Sequence, residues 1–197
     1  CGTLSAIPPY VKQILLLYMK RFFLPVCLLF LCGSFLSVQA QTVDSTLIRV
    51  YEDSLKVIAF DMMNNTDSAV RVAAKNEFMP LLREALEVPG AVNYDFDSLG
   101  TVSRLRPADG SFRLMTWQLC LNSNNFEYFG FIQMAGEGGR IFKLYDEGDE
   151  ARIPEKDILS HKNWMGALYY NIKEFKDKKT SYYLLFGFDA TNLYTRT

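Results

Sequence analysis

The side chains that could do chemistry here are few and scattered. His161 is the only histidine and lies in a polar stretch, so a histidine-based metal cluster is excluded. As a general base, His161 would need both a nucleophile and an orienting acid brought to it. Cys120 is a poor nucleophile for that purpose, because it falls inside an apolar strand pattern and reactive thiols sit in open, electropositive surroundings. His161 is therefore read as structural or solvent-exposed, and Cys120 as an inert buried thiol. Asp146-Glu147-Gly148-Asp149-Glu150 places four carboxylates in five residues. Asp146 and Asp149 would gather a hard cation if this loop folded back on itself; a solvated acidic loop is the simpler expectation.

Two other motifs fail on spacing. Asp95-Phe96-Asp97-Ser98-Leu99-Gly100 begins like a calcium loop, but Leu99 occupies the fifth position and Arg106 the twelfth, where oxygen ligands are required. Gly136-Glu137-Gly138-Gly139-Arg140 lacks the strand-loop-helix setting of a phosphate cradle and reads as a turn. Paired carboxylates for glycoside cleavage depend on a spatial separation that the linear order does not reveal. Trp164, Tyr169 and Tyr182, with Tyr170 and Tyr183, are the aromatic candidates for a platform that takes sugar rings or a peptide, although core packing on alternate faces accounts for most of them. No residue pattern implies a cofactor.

The elements that must position these residues follow from hydrophobic period. Leu47, Tyr51, Leu55, Ile58 and Met62 recur at helical steps, which predicts an amphipathic helix from Asp44 to Asn65 capped by Asp44 or Ser45. A second helix is expected from Thr66 or Asp67 to Val88, with Val70, Ala74, Phe78, Leu81, Leu82, Ala85 and Leu86 inward. Pro80 predicts a kink or a fresh start capped by Asn76, and Pro89-Gly90 the end.

Beyond Gly90 the period becomes strand-like. Strands are expected over Leu99 to Arg106, Phe112 to Leu121, Phe126 to Met134, Arg140 to Tyr145, Trp164 to Phe175 and Ser181 to Phe188, with one helical turn near Glu155 to Leu159. The strands are apolar on both faces, so one face should meet the helices or another sheet while the other closes a barrel or layer. Phe129-Gly130-Phe131 is echoed by Phe186-Gly187-Phe188, which would suit a repeated blade, but the flanking turns differ and coincidence in an aromatic-rich chain is preferred. The resulting expectation is an α+β domain, two amino-terminal helices on an antiparallel meander of barrel-, sandwich- or blade-like form. The chain stops at Asn192 to Thr197 where another strand could begin, and a truncated carboxyl end is expected because a hydrophobic unpaired edge invites aggregation.

Ahead of these elements, Met19 to Ala40 has the pattern of an export signal. Lys20 and Arg21 make a short basic start, Phe22 to Val38 is mostly apolar, and Val38-Gln39-Ala40 presents small residues for cleavage before Gln41. Pro25, Gly33, Ser34 and Ser37 interrupt a run already short for a membrane span. Lipidation at Cys32 is disfavoured by the bulky Leu29, Phe30 and Leu31 before it. Residues 1 to 18 would then be translated upstream sequence. Removing Lys12, Lys20 and Arg21 leaves 18 of the 21 basic residues against all 22 acids, a net of −4, which argues against nucleic acid. Of the 4 cysteines only Cys120 remains, so no internal disulfide can form and residues 41 to 197 must be held by their core.

Tyr94 to Leu99, Ser111 to Leu119, Tyr128 to Gln133, Trp164 to Tyr170 and Tyr182 to Asp189 together resemble uncharacterised exported proteins of Bacteroidota-type Gram-negative bacteria. The resemblance implies a periplasmic, outer-envelope or secreted location and a longer carboxyl end, and a turn in which Asp189 is structural. It brings no activity, catalytic residue or cofactor. Two functions are carried forward: a non-catalytic binding or interaction module for an envelope component or small ligand, touching the membrane only through its export signal, and a hydrolase of an extracellular polymer acting through paired carboxylates.

Overall fold

A computed structural model describes residues 45–122, 125–136, 139–147, 158–178 and 180–190. The expected upstream segment and export signal, Asp44, Asp149, most of the Glu155 to Leu159 turn and the stretch from Asn192 to Thr197 lie outside the described residues.

Helix α1 spans Ser45–Asn64 and buries Ile48, Glu52, Leu55, Ala59 and Met62. This stripe is turned by about one residue from the expected one. Leu47 is exposed, while Tyr51 and Ile58 lie at the margin of the core. The carboxylate of Glu52 is what obscures the true face, since it sits in the middle of an otherwise apolar line. Helix α2 spans Ser68–Glu87 and is capped by Asp67, whose Oδ1 accepts the Ala69 amide at 2.8 Å. It runs through Pro80 without the restart expected at Asn76. An interior proline costs about 3 kcal/mol. Burial of Ala74 and Phe78 before it and of Leu82, Ala85 and Leu86 after it outweighs that cost, because each buried large side chain returns roughly 1.5–3 kcal/mol. Val88 and the left-handed Gly90 end the helix, leading into a 3-10 turn over Ala91–Asn93.

Strands β1 (Ser103–Leu105), β2 (Phe112–Asn122), β3 (Asn125–Met134) and β4 (Ile141–Leu144) form one antiparallel sheet in that order, and β5 (Leu168–Asp177) and β6 (Thr180–Phe188) form a separate two-stranded ribbon. Among the described residues the strands form two open sheets and not a barrel. The first strand is shorter than expected because Leu99 to Val102 is turn, and the fifth begins at Leu168 because Trp164 makes only an isolated bridge to Asp146. One Phe-Gly-Phe copy lies on β3, an inner strand of the four-stranded sheet, and the other on β6 of the two-stranded ribbon, so the units around the two copies differ.

Alternation along β2 explains why its strand pattern is apolar on both sides. Met115, Trp117 and Leu119 join Phe78, Leu82 and Leu55 in the core under the helices. Trp117 lies 5.3 Å from the Phe78 ring, edge to face, and 6.0 Å from Phe129 and Phe131. Leu114 faces the other way, into a second cluster with Tyr128, Leu144, Trp164 and Ala167 that the ribbon and residues 158–167 cover. The ribbon is tied there by the Tyr169 amide, which donates to Thr116 Oγ1 at 3.2 Å, and by Ser103 Oγ, which donates to the Tyr169 carbonyl. Glycine is required where these layers approach. A Cβ on Gly130 would stand 2.8 Å from the Met115 carbonyl and from Leu144, and one on Gly187 would stand 2.7 Å from the Tyr169 ring.

Candidate functional site

Trp164 and Tyr169 are not available as a platform. Trp164 is buried, its indole N–H donates to the Tyr169 hydroxyl at 3.0 Å, and both pack in the second core. Asp146 serves the same core: its Oδ2 accepts the Tyr128 amide at 2.9 Å, and its carboxylate lies where a Cβ on Gly166 would fall, 2.6 Å away. With Gly166 at φ 70, this position admits glycine alone on both steric and backbone grounds. His161 is half-buried beside Phe142, ring centroids 5.1 Å apart, and its carbonyl accepts the Tyr145 amide. Cys120 is half-buried rather than fully buried, with its thiol on the Asn122 carbonyl at 3.2 Å. Among the described residues no group of three or more His, Cys, Asp or Glu side chains comes together.

Tyr128 is buried, and its hydroxyl accepts the Ala190 amide at 2.6 Å. Burial, followed by the charge of Asp189 and a hydrogen bond to it, pushes this phenol up to about 12, with Asp146 adding to the effect. The two carboxylates therefore both act on one core tyrosine.

Tyr182 has the opposite fate. Register places Phe175 beside Tyr182, Lys173 beside Leu184 and Asn171 beside Phe186 on one face of the ribbon, while Tyr183 and Leu185 turn toward the sheet. The outward face is open: Phe175 is 53% exposed, Tyr182 57% and Leu184 49%, with Tyr170 at 62% by the bulge. Lys173 lies over the Phe186 ring at 5.8 Å. A groove of about 570 Å³ beside this face is lined by Ala108, Lys173, Glu174, Phe175 and Lys176. Glu174 is held at 3.0 Å by Lys176, which it raises in pKa through that hydrogen bond.

Underneath, Tyr183 anchors the ribbon. Its hydroxyl donates to Asp109 at 2.6 Å and meets Ser111 Oγ at 2.9 Å, and these contacts, Tyr183 first and the Ser111 amide second, lower the Asp109 pKa. A second groove, about 560 Å³, runs along α1 past Val57, Phe60 and Asp61 to Gly100 and Thr101.

Sequence reasoning missed Phe175 and Leu184 because a surface position on a strand pattern looks the same as a core one until the second face is known to be uncovered. It also missed a polar chain through the buried Glu52, Arg113 and Gln133 and the half-buried Tyr94. The one available signal for it was Glu52, a charge at the core phase of α1.

Comparison with protein-family models, with curated proteins and with solved structures brought no match to this chain.

Proposed function

We propose that the protein is an exported, non-catalytic interaction module whose contact surface is the outward face of the β5–β6 ribbon. The observation that carries this is the exposure of Tyr170, Phe175, Tyr182 and Leu184 together on one short ribbon. Large apolar side chains concentrated in this way mark contact surfaces, whereas single ones scattered over a surface mean little. Aromatic rings beside lysines and an asparagine suit sugar rings or the side chains of an extended peptide of an envelope component.

A carboxylate-dependent hydrolase requires two acids in one cleft with opposed environments. The ribbon groove is lined by Glu174 as its acid, and the α1 groove by Asp61. Export is supported by the basic start at Lys20 and Arg21, the apolar run and the Val38-Gln39-Ala40 cleavage pattern.

The contact surface is tested by binding to arrayed envelope polysaccharides and peptides, comparing the wild type with a Phe175→Ser/Tyr182→Ser double variant. Retention of wild type and loss of the variant is expected. Equal retention of both, no retention of wild type, or release of new reducing ends from the polysaccharides would each overturn it. For export, amino-terminal sequencing of envelope material should begin at Gln41, and an intact Met19 in cytosolic protein would refute it.

A further inference from the structure

The sheet edges differ in how they are protected. In the four-stranded sheet the edges are β1, three residues long, and β4, four residues long, and short edge strands leave little to template another chain. Strand β6 is nine residues long and, among the described residues, pairs only with β5. Its sequence, Thr180-Ser181-Tyr182-Tyr183-Leu184-Leu185-Phe186-Gly187-Phe188, holds neither a charge nor a proline, and the irregularity in the ribbon lies on β5 between Tyr169 and Asn171. The ribbon's other edge, β5, is ten residues long but carries Lys173, Glu174, Lys176 and Asp177 as well as that irregularity, so the usual guards of an edge are missing from β6 alone of the two.

We infer that β6 pairs antiparallel with β6 of a second copy of this chain about a two-fold axis at Leu184, joining two ribbons into one four-stranded sheet. The strand is complementary to itself in that register. Leu184 meets Leu184 of the other copy, Tyr182 meets Phe186, and Thr180 meets Phe188. These are all even-numbered, so the outward face stays outward and no side chain is turned from core to solvent. Aromatic pairs directly across strands are favourable and like charges are not. The electrostatics select a second copy over a charged partner: β6 brings no ion to the seam, and the lysine opposite the axis residue Leu184, Lys173, belongs to β5. In the order β5, β6, β6, β5 the two Lys173 residues stand three strand spacings apart, roughly 14 Å, beyond a Debye length of about 8 Å at physiological salt. A two-fold contact is also the commonest way for a chain to assemble. Pairing would further support a two-stranded ribbon, which is marginal alone.

The pairing runs through the backbone edge of the ribbon and its readout, the mass without added ligand, does not depend on binding, so its failure is distinguishable from that of the contact-surface reading. Sedimentation equilibrium of the intact purified protein should give twice the protomer mass, falling to one protomer on dilution. Leu184→Lys, which sets two ammonium groups against each other on the axis, should give a protomer with an unchanged far-ultraviolet circular dichroism spectrum. Cross-linking keeps the idea testable if that variant misfolds. In a background with Cys1, Cys27, Cys32 and Cys120 all changed to Ser, Leu184→Cys should form a disulfide dimer on mild oxidation, since directly opposed Cβ atoms are about 4.5–5.5 Å apart. Tyr182→Cys should not link to itself but should link to Phe186→Cys when the two are mixed. A protomer mass for wild type at every concentration overturns the proposal, whether an unrelated peptide or a further strand of the polypeptide covers the edge. Self-linking of Tyr182→Cys as readily as Leu184→Cys overturns the register.

Discussion

Glu52 Oε2 accepts a hydrogen bond from the Tyr94 hydroxyl at 2.5 Å, in the interior between α1 and the turn that leads into the sheet. Oε1 of the same carboxylate takes the Ser98 amide at 2.6 Å. A buried carboxylate without a cation is tolerable only when its oxygens are satisfied in this way. From Tyr94 the chain of contacts continues: its carbonyl accepts from Arg113 and, at 3.2 Å, from Arg106, Arg113 donates to Gln133 Oε1, and Gln133 Nε2 donates to the Leu86 carbonyl at 2.7 Å. Arg113 lies 4.9 Å over the Phe96 ring, and burial lowers its pKa to about 9. One polar line thus crosses from α1 through β2 and β3 to the end of α2.

Glu52→Ala should destabilise the protein by about 2–4 kcal/mol, because it takes the acceptor from the partly buried Tyr94 hydroxyl and Ser98 amide as well as leaving a hole where the buried Glu52 side chain was. Tyr94→Phe should cost about 1–2 kcal/mol. Urea unfolding of both singles and the double should give a coupling near 1 kcal/mol or more, as expected for residues in one network. Simple additivity would show that the contact contributes nothing of its own.

Alkaline titration should distinguish two tyrosines from the rest. The hydrogen bond to Glu52, with burial second, pushes Tyr94 up to about 12, and Tyr128 is also raised to about 12. A phenol whose folded pKa is raised contributes stability that is complete below its unfolded value of about 10 and is lost as pH climbs from there to the folded value. Stability should therefore decline between pH 10 and 12. Absorbance at 295 nm should show a late phase that shrinks in Tyr94→Phe and again in Tyr128→Phe; a single phase near 10 in native protein would contradict it.

Three glycines separate close approach from open space. Gly130→Ala pushes a methyl into the Met115 carbonyl and Leu144 and should cost roughly 1–3 kcal/mol. Gly166→Ala combines a left-handed backbone with a clash against Asp146 and should loosen residues 158–167, read as loss of amide protection at Trp164 and Tyr145. Gly100 has nothing within 4 Å of a Cβ, so Gly100→Ala should change stability by less than about 0.5 kcal/mol. Equal losses at all three sites would argue against this packing.

Arg71 offers a fourth test. On α2, its guanidinium donates to the carbonyls of Cys120 at 2.8 Å and Leu121 at 3.1 Å, and to those of Asn65 at 2.7 Å and Thr66 at 3.0 Å. The planar fork of an arginine reaches both the α1–α2 turn and the end of β2; an ammonium cannot. Arg71→Lys should therefore lose about 1.5–3 kcal/mol while keeping the charge. Thermal melts of Arg71→Lys matching wild type would remove Arg71 from this role.

Much of the fold was legible in residue order because local physics writes it there. Asp67, Gly90 and the helical recurrence of Ala74, Phe78, Leu82 and Ala85 mark α2, and the change from helical to alternating period marks the sheet. Where the local rule and packing disagreed, packing prevailed: α2 passes Pro80 because core burial on both sides exceeds the lost hydrogen bond, and α1 turns Glu52 inward because Tyr94 and the Ser98 amide await it.

The fate of each aromatic residue was not legible. Trp164, Tyr169 and Tyr182 belong to the same apolar, strand-rich stretch, yet the first two pack against Leu114 and Tyr128 while the third faces water. The amino-acid order by itself determined which segments become helix or strand and where they turn, since those preferences act over a few neighbouring residues. Only the tertiary structure decided which face of β6 is covered and which carboxylates meet a partner, because burial depends on residues far away in the chain that come near only after folding.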